Sequence, residues 1–89
     1  MIVEFDKSFE KSLDKIRDKS MFSRIEKSIE NLEKANSLEE IPGVKKLSGF
    51  KNYYRIRIGD YRLGFEKLDP KKVRIIILAH RKDIYKAFP

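Results

Sequence analysis

The sequence predicts an α+β fold, in which an N-terminal strand and a helical hairpin pack on a β-sheet built mainly from the second half of the chain. Three observations predict it. Apolar residues recur at helical spacing in the first 40 residues, apolar and basic residues alternate on both sides of Gly59-Asp60, and an aliphatic run extends from Val73 to Ala79. The 89 residues suffice for one compact core, so a single domain over residues 1–89 is expected.

The first half predicts one strand and two helices. Residues 2–5 are typical of a short strand, and Asp6 is then placed to cap a helix. The apolar stripe of that helix comprises Phe9, Leu13 and Ile16. A second helix is predicted from Ser20 to about Asn36, with a buried face formed by Phe22, Ile25, Ile29 and Leu32.

The connector between the helices and the sheet runs from Asn36 to Gly49 and contains several turn dipeptides. Its apolar residues are expected to attach it to the core, and they are Leu38, Ile41, Val44 and Leu47. Near the other end of the chain, the β-branched run from Val73 to Ala79 indicates a strand covered on both faces, and the residues after it leave room for a short helical turn.

The stretch from Tyr53 to Phe65, YYRIRIGDYRLGF, predicts a β-hairpin. A two-residue Gly59-Asp60 connection suits a type II′ turn, because glycine supplies the positive φ at the first central position. Counting outward from this turn opposes Arg57 to Arg62 and Arg55 to Gly64 on one face. Like charges directly opposite cost up to roughly 1 kcal/mol, so folding alone does not account for the arginine pair. With Gly64 leaving the backbone open, the cluster is typical of a phosphate site.

The distribution of charge agrees with such a site. The formal net charge is +7, and by residue count it is −2 over residues 1–40 (8 basic, 10 acidic) and +9 over residues 41–89 (13 basic, 4 acidic). This asymmetry favours a nucleic-acid or acidic protein partner, with general solubility as the alternative. Lys45, Lys46 and Lys51 would extend the basic surface as an RNA-binding rim, or are simply solvated.

Several classes of site find no support in the sequence. There is no cysteine, no signal-peptide pattern and no apolar run of transmembrane length, so a cytoplasmic protein without a membrane partner is expected. No metal-ligand spacing, phosphate-binding glycine loop or Ser-His-Asp arrangement is present. Neither a metal nor another cofactor is therefore expected.

Cleavage of RNA by its own 2′-hydroxyl would need a group that removes the hydroxyl proton, a stabiliser of the phosphorane charge and a proton donor for the leaving 5′ oxygen. Arginine suits the second role because it stays charged, and for the same reason it is a poor proton-transfer group. His80 and Tyr85 are the candidates for proton transfer. A lone histidine at a strand end is more often structural than catalytic. Tyr85 could stack on a base or transfer protons, and it is equally typical of a tyrosine packed at the chain end.

The chain resembles the RelE/ParE superfamily of bacterial and archaeal toxins from type II toxin–antitoxin systems, and the RelE branch in particular. The similarity extends over nearly the whole chain and is most specific in YRIRIGDYRL and HRKDIY. It implies an antiparallel sheet with the RelE-like arrangement of helices. It also implies a ribosome-dependent endoribonuclease that cuts mRNA in the A site, silenced by a small RelB-like antitoxin with which it can bind operator DNA.

The resemblance also implies which residues act. RelE-type enzymes use basic residues before the hairpin turn, an arginine after it, and an arginine and a tyrosine near the C-terminus, which fall on Arg55, Arg57, Arg62, Arg81 and Tyr85. Arg55 and Arg57 stand where RelE proper has lysines, which keeps the charge and disfavours proton transfer there. The spacing from Arg81 to Tyr85 is shorter than in RelE proper. His80 is similar to histidines that some relatives use.

Two other functions fit a chain of this superfamily. One is a ParE-like toxin that acts on DNA gyrase without catalysis. The other is an inactive toxin homologue that serves in antitoxin and operator binding. ParE-like chains generally lack the full basic and tyrosine set, so its presence here favours the nuclease.

Overall fold

A computed structural model describes all 89 residues. Its strands are β1 (Ile2–Phe5), β2 (Val44–Lys46), β3 (Tyr53–Ile58), β4 (Tyr61–Asp69) and β5 (Lys72–His80), and its α-helices are α1 (Lys7–Leu13), α2 (Ser20–Lys34) and α3 (Ile84–Ala87). A 3-10 turn spans Leu38–Glu40. No helix has both the length and the apolar character needed to cross a bilayer.

The five strands form one sheet in the order β1-β5-β4-β3-β2. All neighbouring strands pair antiparallel except β1, which runs parallel to β5 at one edge. The predicted α+β class is confirmed. The parallel edge was not predicted, because the apolar pattern of residues 2–5 identifies a strand without fixing its partner.

The helices begin as predicted and differ from the prediction in detail. The Asp6 carboxylate accepts a hydrogen bond from the Ser8 backbone N–H at 3.1 Å, which confirms the predicted N-cap of α1. Helix α1 ends at Leu13, one turn earlier than its apolar stripe indicates, although Ile16 still packs against the core. The assignment of Phe22 to the buried face of α2 was wrong, since that side chain is 40% exposed.

Met21 takes the inward position instead of Phe22. Met21, Ile25 and Leu32 are buried and Ile29 is partly buried, a series with spacings of four, four and three residues. Phe22 lies about 100° further round a helix of 3.6 residues per turn, at the margin of this stripe.

The two faces of the sheet are covered by different parts of the chain. Helices α1 and α2 lie over one face and enclose the main core, whose fully buried sheet residues include Leu63, Phe65, Val73 and Ile75. On the other face the C-terminal segment buries Ile84 and Phe88 against Leu47 of the connector. Strand β5 is thus covered on both faces along part of its length, as its aliphatic composition predicts. Leu38 and Ile41 attach the connector to the main core.

The C-terminal segment corrects one expectation about the sheet. Gly64 was expected to leave an open patch for a polyanion, but it is buried, and the Phe88 ring packs on it. A Cβ atom added to Gly64 would lie 2.9 Å from two carbons of that ring and 3.0 Å from a third. The missing side chain therefore seats an aromatic ring of the same chain. This contact anchors the segment that carries Tyr85.

Candidate nucleic-acid interface

The hairpin has the register that the sequence predicts. Arg57 pairs with Arg62, Arg55 with Gly64, and Ile58 with Tyr61 across the turn. Gly59 has φ +58°, and no residue other than glycine has a positive φ, which fits the expected type II′ turn. Because opposed residues share a face, the side chains of Arg55, Arg57 and Arg62 project from the face opposite the main core.

The hairpin turn holds two of the arginines in place. The Arg62 guanidinium Nη1 donates to the carbonyl oxygens of Gly59 and Tyr61, each at 2.9 Å. The backbone N–H of Arg81 donates to the Asp60 carbonyl oxygen at 2.8 Å. A tight turn whose carbonyls point outward thus brings Arg62 of β4 and Arg81 after β5 to the same end of the sheet. The remaining donors of Arg62 are left for a ligand.

Arg55 is fixed at the other end of this face. Its Nη1 donates at 3.0 Å to the carbonyl oxygen of Gly43, which also accepts the backbone N–H of Arg57 at 3.1 Å. The Arg55 Nε is buried and has no hydrogen-bond partner within the protein. Buried polar groups of proteins are rarely left unpaired, so this N–H is a donor that a ligand could engage.

The arginines of the cluster affect one another through their like charges. Burial is the main cause that lowers the pKa of Arg62, and the positive charges of Arg55, Arg57 and Arg81 lower it further, while Tyr85 acts in the opposite direction. These four residues therefore lie within electrostatic reach of Arg62. An arginine remains protonated at neutral pH in spite of such a shift, so the cluster keeps its charge.

No carboxylate of the protein compensates this charge. The only ion pairs within 4.0 Å join Glu4 to Lys72 and to Arg74, at 3.1 and 3.2 Å, and neither involves an arginine of the cluster. Repulsion among these positive charges lowers the stability of the free protein. An anion that binds there would recover that loss, and a phosphate matches the planar donor fork of the guanidinium.

Tyr85 lies beside the arginine cluster, on a C-terminal segment that buried residues attach to the sheet. Ile84 and Phe88 are buried on either side of it, whereas the Tyr85 side chain is 64% exposed. It lines a cleft of about 390 Å³ together with Arg55 and Phe50. Phe50 is 46% exposed and packs edge-on against Tyr53. Sequence reasoning missed Phe50, although an aromatic residue within the basic KLSGFK stretch was a signal that could have identified it.

The three predicted rim lysines occupy different positions. Lys45 is directly opposite Arg55 on β2, so it belongs to the arginine face. Lys46 is opposite Tyr54 and belongs to the other face of the sheet by register, although it borders the cleft. Lys51 is exposed in the turn that precedes β3.

His80 does not join the arginines. It pairs with Tyr61, one residue away from Arg62, and therefore lies on the opposite face of the sheet. Its ring packs edge-on against Tyr61 with centroids 5.7 Å apart, and its Nδ1 accepts the backbone N–H of Lys82 at 3.2 Å. These contacts explain the histidine as a packed residue that ends β5. The sequence left open whether His80 or Arg81 would face the cluster, and the pairing of β4 with β5 decides it.

The fold thus places a helical hairpin on one face of the sheet and an arginine cluster on the other. The family model described as ParE toxin of type II toxin–antitoxin system, parDE, matches residues 3–85. Toxin RelE3 of Methanocaldococcus jannaschii is 39% identical over 90 residues, covering all of both chains.

Solved structures of RelE-type toxins are similar to this chain over most of its length. A chain in the crystal structure of the RelB-RelE antitoxin-toxin complex from Methanococcus jannaschii superposes with a TM-score of 0.79 at 37% identity, over 97% of this chain and 99% of that one. A chain in the archaeal RelE-RelB complex from Pyrococcus horikoshii gives 0.70 at 29% identity, over 90% and 93%. The present chain belongs to the RelE/ParE superfamily of type II toxin–antitoxin toxins, and these relatives place it in the RelE branch.

Proposed function

We propose that this chain is a ribosome-dependent mRNA endoribonuclease, formed by a single toxin domain over residues 1–89. The observation that carries the proposal is the placement of four arginines without a neutralising carboxylate. Arg57 pairs directly with Arg62, Arg55 lies on the same face two residues along β3, and the backbone of Arg81 is bound to the hairpin turn, while none of the four forms an ion pair. Such a face is suited to a phosphate whose negative charge increases during reaction. Stabilisation of that developing charge is usually the largest single contribution to catalysis.

In the proposed reaction the 2′-hydroxyl oxygen of the message attacks the adjacent phosphorus. The O2′–P bond forms, the P–O5′ bond breaks, the hydroxyl proton is removed and the leaving 5′ oxygen is protonated, which gives a 2′,3′-cyclic phosphate and a 5′-hydroxyl end. Arg57, Arg62 and Arg81 hold and neutralise the phosphorane oxygens. Arg55, fixed beside the cleft, binds a flanking phosphate of the message or of ribosomal RNA.

Tyr85 is assigned to proton transfer or to stacking on a base beside the scissile phosphate. Its exposure and its place next to Arg55 in the cleft support this role. His80 is not included in the proposed site, because it projects from the other face of the sheet. Lys45, Lys46 and Lys51 are assigned to RNA binding by charge alone, and Lys45 has the most direct position, opposite Arg55.

A small RelB-like antitoxin is the proposed partner that silences the toxin. The two archaeal structures above are of complexes of RelE with RelB. An exposed face of uncompensated positive charge favours an acidic antitoxin segment, which would compete directly with RNA. The toxin–antitoxin complex is further proposed to act in the cytoplasm and to bind operator DNA.

Cleavage of ribosome-bound message tests the proposal. Arg62→Ala and Arg81→Ala are each expected to lower cleavage by about 100-fold or more, the magnitude typical of losing one donor to a developing oxyanion. Arg74→Ala is the matched control, because it removes an arginine from the same sheet that is already paired with Glu4. Undiminished cutting by both cluster variants would rule out the assignment.

A ParE-like action on DNA gyrase is the second candidate, favoured by the description of the matching family. It would place the arginine face against another target and require no cleavage. Inhibition of gyrase supercoiling by the purified protein, with ribosome-bound message left intact, would establish this function in place of the nuclease. Binding of antitoxin and operator with neither activity would identify an inactive homologue.

A further inference from the structure

A second cationic surface begins where the arginine cluster ends. A groove of about 310 Å³ runs between α2 and the end of β3, and its polar lining residues are Ser23, Arg24, Lys27, Ser28, Asn31 and Arg57. Arg57 therefore borders both the proposed active face and this groove. No acidic residue lines it. Hydrogen bonds from Ser20 are the main cause that lowers the pKa of Asp18, and the charge of Arg24 lowers it further, but Asp18 forms no ion pair with Arg24.

The hairpin turn connects the groove to the cluster. A Cβ atom added to Gly59 would lie 2.7 Å from Nη1 of Arg24, so that guanidinium rests against the turn glycine. Arg62 binds the carbonyl oxygen of the same glycine from the cluster side. Glycine suits this position because its φ is positive, and a side chain there would displace the Arg24 guanidinium. Arg24 and Arg62 are thus held on two sides of one residue.

The charge pattern of α2 supports a specific purpose for the groove. At 3.6 residues per turn, Arg24, Lys27 and Asn31 lie on the flank of the buried stripe that borders β3, whereas Glu26, Glu30 and Glu33 lie on the other flank. A helix that served only solubility would need no such separation. Positive charge is concentrated on the flank that borders the end of β3, where Arg57 lies.

We propose that the groove between α2 and β3 binds the phosphate backbone of an RNA segment that flanks the one held by the arginine face. Arginine, lysine, serine and asparagine are the side chains that contact phosphates and sugars in protein–nucleic acid complexes. A protein partner is less compatible with this groove, because protein interfaces depend on buried aromatic or apolar anchors and Ile58 is its one large apolar lining residue. The segment is either downstream message or ribosomal RNA.

The inference rests on the proposed RNA-directed function but is tested by binding, which does not require cleavage. The variant is Arg24→Ala/Lys27→Ala, and the control is Lys11→Ala/Lys71→Ala, which removes the same charge at two exposed sites outside the groove. Two probes separate the RNA sources. One is a free single-stranded RNA with a 2′-deoxy nucleotide at the cleavage position, and the other is a ribosome with an empty A site.

Binding affinity is measured against salt concentration for each probe. For single-stranded RNA, each lost phosphate contact is expected to reduce the slope of log affinity against log salt by about 0.7, so the groove variant should lose about 1.4 more than the control. A loss confined to the ribosome probe assigns the groove to ribosomal RNA, and a loss with the free strand assigns it to message. Equal slopes for variant and control on both probes, or no binding of either probe by the wild type, would overturn the inference.

Two further readouts complete the test. Binding to poly-glutamate, a stand-in for an acidic protein, is measured as well. If the groove substitutions weaken binding to poly-glutamate but to neither RNA probe, the surface belongs to an acidic protein partner and the inference is wrong. Cleavage by Arg62→Ala is measured in parallel, so a failure of the nuclease proposal is seen separately from a failure of the groove.

Discussion

Replacing Gly64 with alanine tests how the C-terminal segment is attached to the sheet. The new Cβ would lie 2.9 Å from two ring carbons of Phe88, whereas an ordinary carbon–carbon contact needs about 3.5–4.0 Å, so the ring must move by several tenths of an ångström. Phe88 is 2% exposed and packs against Tyr53 with ring centroids 5.5 Å apart, so little free space surrounds it.

Two limits bracket the expected cost of this substitution. Overpacking a filled site costs about 1–3 kcal/mol. Complete expulsion of the ring would forfeit the burial of one phenylalanine, about 1.5–3 kcal/mol. The free energy of unfolding should therefore fall by about 1–3 kcal/mol, with a loss of about 4–8 °C in melting temperature per kcal/mol for a domain of this size.

The assay is urea denaturation of Gly64→Ala, of Phe88→Ala and of the double variant. Since the clash requires the ring, adding Gly64→Ala to a Phe88→Ala background should cost much less than adding it to the wild type. Displacing Phe88 should also move Tyr85 and lower cleavage of ribosome-bound message. A Gly64→Ala variant as stable as the wild type, or one that costs the same with and without the ring, would refute the reasoning.

Three other substitutions test the arginine pair, the cap of α1 and the position of His80. Arg57→Gln removes the like-charge pair with Arg62, so the free energy of unfolding should rise by up to about 1 kcal/mol at low salt and by less at high salt. The same substitution should lower cleavage of ribosome-bound message. A loss of stability in urea denaturation would contradict this prediction. Hydrogen bonds from the Ser8 hydroxyl, and then from the Ser8 backbone N–H, lower the pKa of Asp6. The ionised cap therefore stabilises the fold fully above the unfolded-state pKa of about 3.9. This stabilisation is lost as the pH falls through the lower pKa of the folded state. Melting curves from neutral to acid pH should therefore show the wild type losing stability relative to Asp6→Asn below about pH 4, and parallel curves would contradict this. His80→Ala should retain cleavage of ribosome-bound message, and a loss comparable to that of Arg62→Ala would return the histidine to the site.

Much of the fold was predictable because local patterns determine it. The Gly59-Asp60 turn fixes the hairpin register residue by residue, and the opposed arginines follow by counting from it. The cap at Asp6 was predictable from the side-chain chemistry of aspartate, and the cover of β5 on both faces was predictable from its aliphatic run.

What could not be predicted depends on contacts between distant segments. The sequence shows that Gly64 lacks a side chain but not that Phe88, 24 positions later, fills the space. The face of His80 depends on the pairing of β4 with β5, which includes irregularities near Gly64 and near Lys67 that counting cannot locate. Arg24 lies on a helix with a generic pattern, and only the tertiary contact with Gly59 brings it to the cluster.

Arginine side-chain NMR during titration with a short uncleavable RNA tests most directly whether the crowded guanidiniums bind phosphate. The signals of Arg55, Arg57, Arg62 and Arg81 should shift together and saturate, while those of Arg17 and Arg74 stay in place. Equal shifts of all arginines, or shifts that spare the four cluster residues, would contradict the account.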